Sequence, residues 1–107
     1  MKDLSGQTII VTGGGKGIGR GITTAFAKAG AHVAICGRSE PEAFDSEIAD
    51  HIHFKELDIR EAENAETLID FAASFGHPIT TLINNAGGGP PVASAEASPS
   101  LTEKVIK

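Results

Sequence analysis

The chain has no tryptophan and no tyrosine among its 107 residues, and it has a single cysteine, Cys36. Each shortage excludes a class of chemistry. Without tyrosine, no phenol within these residues can donate or take a proton. One cysteine rules out an internal disulfide framework and suits a reducing, cytoplasmic setting. No basic tract occurs, and 14 acidic residues stand against 9 basic ones, for a formal net charge of −5. That balance argues against nucleic acid or an anionic membrane surface as the main partner. No apolar run is long enough to span a bilayer. The opening Met-Lys-Asp-Leu-Ser-Gly has neither the apolar stretch of a signal peptide nor a transit-peptide pattern, so no targeting segment is expected.

What is present is ordinary globular composition, 40% apolar and 21% charged, at a length that suits one domain, residues 1–107. Gln7-Thr-Ile-Ile-Val-Thr12 reads as a strand buried on both faces. A glycine-rich turn follows. Ile18, Ile22, Ala25, Phe26 and Ala29 then recur at helical spacing, with Gly30 placed to stop the helix. Ala31 to Cys36 is a second strand. Pro41 suits the first turn of a short helix running to about Ala49. His51 to Leu57 reads as a third strand and Ile79 to Asn84 as a fourth. Between them Ala65, Leu68, Ile69, Ala72 and Phe75 form a second helical stripe, closed by Gly76 and Pro78. Gly87 to Ser100 reads as a loop, and Leu101 to Lys107 as the opening of a further helix. Alternating strands and helices predict an α/β fold, a doubly wound parallel sheet of strand order 3-2-1-4.

The turn after the first strand, Gly13-Gly-Gly-Lys-Gly-Ile-Gly19, carries the chemistry. Glycines let a pyrophosphate approach the main chain, and the helix N-terminus behind them offers unpaired N–H groups and a partial positive charge. The strict dinucleotide fingerprint G-x-G-x-x-G is not met in any register. The triphosphate loop G-x-x-x-x-G-K-[ST] fails too, because Gly17 follows Lys16 and position 10 is Ile. A nucleoside triphosphate is therefore not expected.

Thr12-Gly-Gly-Gly-Lys-Gly-Ile-Gly19 resembles the cofactor motif of the classical short-chain dehydrogenases/reductases. Asn84-Asn-Ala-Gly87 at the end of the fourth strand resembles a second motif of that family, and Asp58 after the third strand matches its adenine-contacting acid. The resemblance implies a Rossmann-like, nicotinamide-dinucleotide-binding fold of which this chain matches the N-terminal half. It places Gly13, Gly15, Gly17 and Gly19 around the pyrophosphate. Lys16 falls on the ribose-phosphate side and Ile18 on the nicotinamide side. Asp58 would accept from the adenine amino group, with the Ile59 N–H on a ring nitrogen. Asn85, Ala86 and Gly87 would line a ribose. Asn84 is expected to bond across to the backbone near Thr12. By local pattern Asp58 also caps the next helix, with Glu61 three residues on. Both roles are compatible, because a carboxylate has two oxygens.

The same resemblance bears on cofactor choice. NAD-preferring relatives carry an acid at the end of the second strand. Gly37 stands there in this chain, and Arg38 follows with a planar donor fork suited to a 2′-phosphate. Lys16 and Ser39 would add to it. NADP is expected over NAD. The plain alternative is that Arg38 is a solvated turn residue.

Other residues read as structural. His51 and His53 share one face of an edge-like strand, and His32 and His77 stand alone, so no metal site is read. Cys36 is expected to be buried and inert. Ser94, Ser98 and Ser100 have no base nearby. In the resembled family a Tyr-x-x-x-Lys pair with a serine performs the proton transfer, and no residue here takes those roles. Three readings follow. The first is the cofactor half of an NADP-dependent oxidoreductase acting on a carbonyl or alcohol, the parent being a homo-oligomer. The second is an enoyl- or dienoyl-thioester reductase of the same family, suggested by Thr12-Gly-Gly-Gly15, Thr23-Thr24 and Gly76-His77-Pro78. The third is a non-catalytic dinucleotide-binding module. As the N-terminal half of a larger sheet, the isolated chain is expected to be truncated, inactive alone and marginally stable, with an exposed edge at its fourth strand.

Overall fold

The structure is a computed structural model and describes residues 3–85. The expected loop from Gly87 and the helix opening at Leu101 lie outside the described residues.

Strand β1 (Thr8–Thr12) is β-branched at every position and buried throughout. This is what a strand covered on both faces requires. It leads through the glycine turn into α1 (Gly17–Lys28), then β2 (His32–Gly37), a 3₁₀ turn (Ala49–His51), β3 (Ile52–Glu56), α2 (Ala62–Ala73) and β4 (Ile79–Asn84). All pairings are parallel and the strand order is β3-β2-β1-β4, as the alternating pattern predicts. The β1–β4 ladder shifts register once, between Thr8 and Ile9.

Pleating sends alternate side chains to opposite layers. Ile10, Ala34 and Cys36 pack with Ala65, Leu68 and Ala72 of α2. Ile9, Val11, Val33 and Ile35 pack on the other face with Ala27 of α1 and Ile48. The central strands are thus sealed from both sides, and the carboxyl ends of all four strands emerge at one pole.

Four expectations need correction. The stripe of α1 is centred on Gly19, Thr23 and Ala27, with Ile22 and Phe26 flanking it, whereas Ile18 is 78% exposed. Small residues at the centre let the helix lie close against the sheet. The short helix from Pro41 to Ala49 does not form. Its carbonyls at Glu42 and Ala43 accept instead from the Arg20 guanidinium at 3.0 and 2.7 Å, and that guanidinium lies 3.9 Å over the Phe44 ring. Helix α2 begins at Ala62 with Glu61 as its cap residue, so Asp58 does not cap it. The histidines are not isolated: the parallel register brings His32 beside His53, and the turns before β3 and β4 bring His51 and His77 to the same place.

Leu68 is fully buried at the α2–sheet interface, while Thr67 beside it is exposed. Leu68→Ala should cost about 2–5 kcal/mol of unfolding free energy in chemical denaturation. Thr67→Ala should stay within about 0.5 kcal/mol.

Candidate functional site

A cleft of about 530 Å³ opens at the carboxyl ends of the strands. That is where a parallel sheet with helices on both faces leaves a crevice. Its wall begins where β1 ends. Gly13 takes φ 66°, a conformation a side chain disfavours, and so turns the chain out of the strand. Gly19, in the first turn of α1, packs directly against the Gly13 carbonyl and the Asn85 amide; a Cβ there would collide with both. Gly14 sits over Ile35 and Thr23, where an added Cβ would come within 2.5–2.6 Å of each. The first turn of α1 contains no acid, and its cap residue Lys16 makes no side-chain capping bond. Its leading N–H groups are therefore available to an anion.

Asparagines at the end of β4, Asn84 and the following Asn85, fasten this turn to the sheet. The Asn85 N–H donates to Thr12 Oγ1 at 2.9 Å, and Asn85 Nδ2 donates to the Gly13 carbonyl at 3.4 Å. The Thr12 hydroxyl lies 3.3 Å from Asn84 Oδ1. Sequence reasoning gave the backbone tie to Asn84. Asn84 is paired in register with Thr12 and meets its hydroxyl, and Asn85 adds the bond to the Gly13 carbonyl.

The far wall comes from the ends of β2 and β3. Arg38 and Ser39 are exposed at the mouth, and Asp58, Ile59 and Arg60 stand across from them. Asp58 accepts the Arg60 N–H at 3.0 Å and the Arg60 guanidinium at 2.8–3.3 Å. These bonds, with a smaller effect from the Arg38 charge, hold the Asp58 carboxyl at about 2. The carboxylate is thus an ionised acceptor throughout the neutral range.

Of the residues expected at the site, Gly13, Gly15, Lys16, Ile18, Arg38, Ser39, Asp58, Ile59 and Asn85 line this one cleft. Gly17 and Gly19 open α1 just behind it. Ala86 and Gly87 lie outside the described residues. Two arginines were missed. Arg60 carries a local signal, an Asp-x-Arg pair two residues apart. Arg20 carries none: its guanidinium joins the Gly15 carbonyl, at 3.2 Å, to the Glu42–Phe44 segment, a contact set by the fold. Among the described residues no group of three or more His, Cys, Asp or Glu side chains is placed to hold a metal ion, and no helix is long and apolar enough to cross a membrane.

Comparison with known proteins gives a consistent result. The short chain dehydrogenase family model matches residues 7–107. L-fucose dehydrogenase of Bos taurus is 39% identical over 90 residues, covering 81% of this chain and 33% of its own. Galactitol 2-dehydrogenase of Rhizobium johnstonii is 36% identical over 90 residues, covering 80% of this chain and 35% of its own. The crystal structure of 3-ketoacyl-(acyl-carrier-protein) reductase from Brucella melitensis, complexed with NADH, superposes with a TM-score of 0.81 at 29% identity. It covers 96% of this chain and 50% of that one. The chain thus spans about a third of the length of these curated relatives.

Cys36 borders the cleft, yet its side chain is buried in the sheet. Burial, above all, pushes its thiol up to about 11. Native chain at pH about 8 should therefore react with iodoacetamide at least about tenfold more slowly than unfolded chain, whose thiol titrates near its free value. Equal labelling rates would contradict the buried placement.

Proposed function

The chain belongs to the short chain dehydrogenase family, and we propose that it is the nucleotide-binding part of an NADP-dependent oxidoreductase. The parent transfers hydride between the nicotinamide and a carbonyl or alcohol substrate, works in the cytoplasm and assembles as a homo-oligomer. The observation that carries this reading is the content of the cleft. One opening holds an uncapped helix N-terminus, a glycine turn, an ionised acceptor at Asp58 and free side-chain donors at Arg38 and Ser39.

Each group suits one part of a dinucleotide. The N–H groups at the start of α1 hold the pyrophosphate; Gly13, Gly15 and Gly17 shape the turn that passes it, and Gly19 lets the helix pack close against that turn. Asp58 accepts from the adenine amino group, and the Ile59 N–H faces the ring. Arg38, Lys16 and Ser39 bind the 2′-phosphate, which no carboxylate at Gly37 repels. Ile18 lies toward the nicotinamide side. Asn85, followed by Ala86 and Gly87, borders a ribose while holding the glycine turn in place. When bound, the cofactor supplies the hydride donor or acceptor; the residues here bind it and orient it.

The proton-transfer step needs a phenol that this sequence does not contain. That favours binding without turnover by the chain itself, as a dinucleotide-binding module does. A panel of carbonyl and enoyl-thioester substrates with NADPH distinguishes the carbonyl from the thioester reading in the parent.

Arg38→Asp tests the cofactor assignment. Losing a charged donor to phosphate and gaining a repelling carboxylate should weaken NADPH by about 10- to 100-fold and reverse the preference toward NADH. Calorimetric titration with both nucleotides reads it. Unchanged affinities for both would overturn the role of Arg38.

A further inference from the structure

All four histidines of the chain meet at the pole of the sheet opposite the cleft. His32 opens β2, and its register neighbours place it on the α2 face together with Ala34 and His53. The His51 ring stacks on the His32 ring at 4.7 Å and 17°, and the His77 ring at 4.9 Å and 15°. His53 closes the group from the side, its Nε2 3.2 Å from His32 Nδ1. Phe75, just after α2, lies 4.1 Å from the His53 ring. Rings from β2, β3, the turn before β3 and the turn between α2 and β4 are thus packed into one cluster, drawn from three separate stretches of the sequence.

We propose that this cluster is a proton-operated clasp. Neutral, it fastens the α2–β4 turn to β2 and β3; protonated, it releases that turn. The hydrogen bonding dictates the asymmetry. The His32–His53 contact holds one proton between two nitrogens. A single added proton is accommodated, because the donor ring becomes the cation and the other ring still accepts. A second places two N–H groups against each other at 3.2 Å. Stacking adds to this. A charge on His32 repels any charge on His51 or His77, which stack on it. The His51 Nδ1 faces the Ala31 carbonyl at 3.2 Å, which a donating N–H satisfies. The four rings cannot all be charged in this arrangement.

Burial foremost, then the charges of His51 and His77, holds His32 below its ordinary range. Burial, then His32 and His51, does the same to His53. Asp50 beside His51, Lys55 in β3 and Asp70 in the last turns of α2 are not among the groups that shift either ring. Among the described residues no carboxylate forms an ion pair with any of the four rings. The folded values are depressed, so stability is complete above the unfolded value of about 6.5 and is lost as pH falls through the folded values. The released turn leads straight into β4. Its Pro78 carbonyl takes the Thr8 N–H at 2.9 Å, at the end of the β1–β4 ladder where the register shifts. β4 ends at Asn84, next to the Asn85 that holds the glycine turn, so one strand connects the clasp to the cleft.

The test is a histidine titration by NMR on the full chain, with amide exchange followed in parallel. His32 and His53 should titrate below 6.5, and protection of the Gly76 amide, bonded to the Ala73 carbonyl, should fall at least about tenfold between about pH 7 and 5.5, relative to Ile10. His32→Phe keeps a central ring and removes its charge. It should lose at least about half of the acid-induced fall in melting temperature seen in the unaltered chain. His32 and His53 values at or above 6.5, or an acid response spread evenly over β1 and the α2–β4 turn, would overturn the clasp. If His32→Phe does not fold, those two wild-type measurements decide alone.

Discussion

The exit of β1 is the point on which the rest of the structure depends. Within two residues the Thr12 hydroxyl and the Gly13 carbonyl meet Asn84, the last residue of β4, and Asn85 just after it, while Gly19 from α1 packs against the same carbonyl. A strand, a helix and a second strand are locked to one peptide unit. A side chain at Gly19 would force the helix away, and losing Asn85 would leave a carbonyl without its side-chain donor. The glycine turn is therefore held from both sides.

From this point the cleft takes its shape. Arg20, one residue after Gly19, reaches back to the Gly15 carbonyl and across to the carbonyls of Glu42 and Ala43. It thereby sets how far the segment after β2 stands from the glycine turn, and Arg38 and Ser39 lie on that segment. On the remaining side Arg60 keeps Asp58 ionised and fixed in direction. Hydrogen-bond donors and a carboxylate acceptor thus face one opening, as the proposed dinucleotide requires.

Much of this was legible in the sequence. Short apolar, β-branched runs located the four strands and near-four spacing the two long helices, and their alternation gave the strand order, because burial on both faces leaves few arrangements. Most of the described motif residues also converge on one cleft. What escaped was whatever depends on a partner distant in sequence. Pro41 to Ala49 carries helix signals, but Arg20 takes the carbonyls the helix needed. Ile18 fits the apolar stripe by spacing, yet its place in the first turn points it outward beside the cleft. Asp58 has the spacing of a cap, but the nearer Arg60 claims its carboxylate. The histidine cluster has no sequence signal beyond the His51–His53 pair, since parallel register and two turns bring His32 and His77 to it.

The central claim is that the held turn at the end of β1 makes one nucleotide site with the ends of β2, β3 and β4. Titrating isotope-labelled chain with NADPH and following backbone amide shifts tests it most directly. The account predicts shifts concentrated at residues 13–19, 37–39, 58–60 and 85, with the histidine pole unmoved. An absence of shifts at the glycine turn, or shifts centred on the opposite pole, would contradict it.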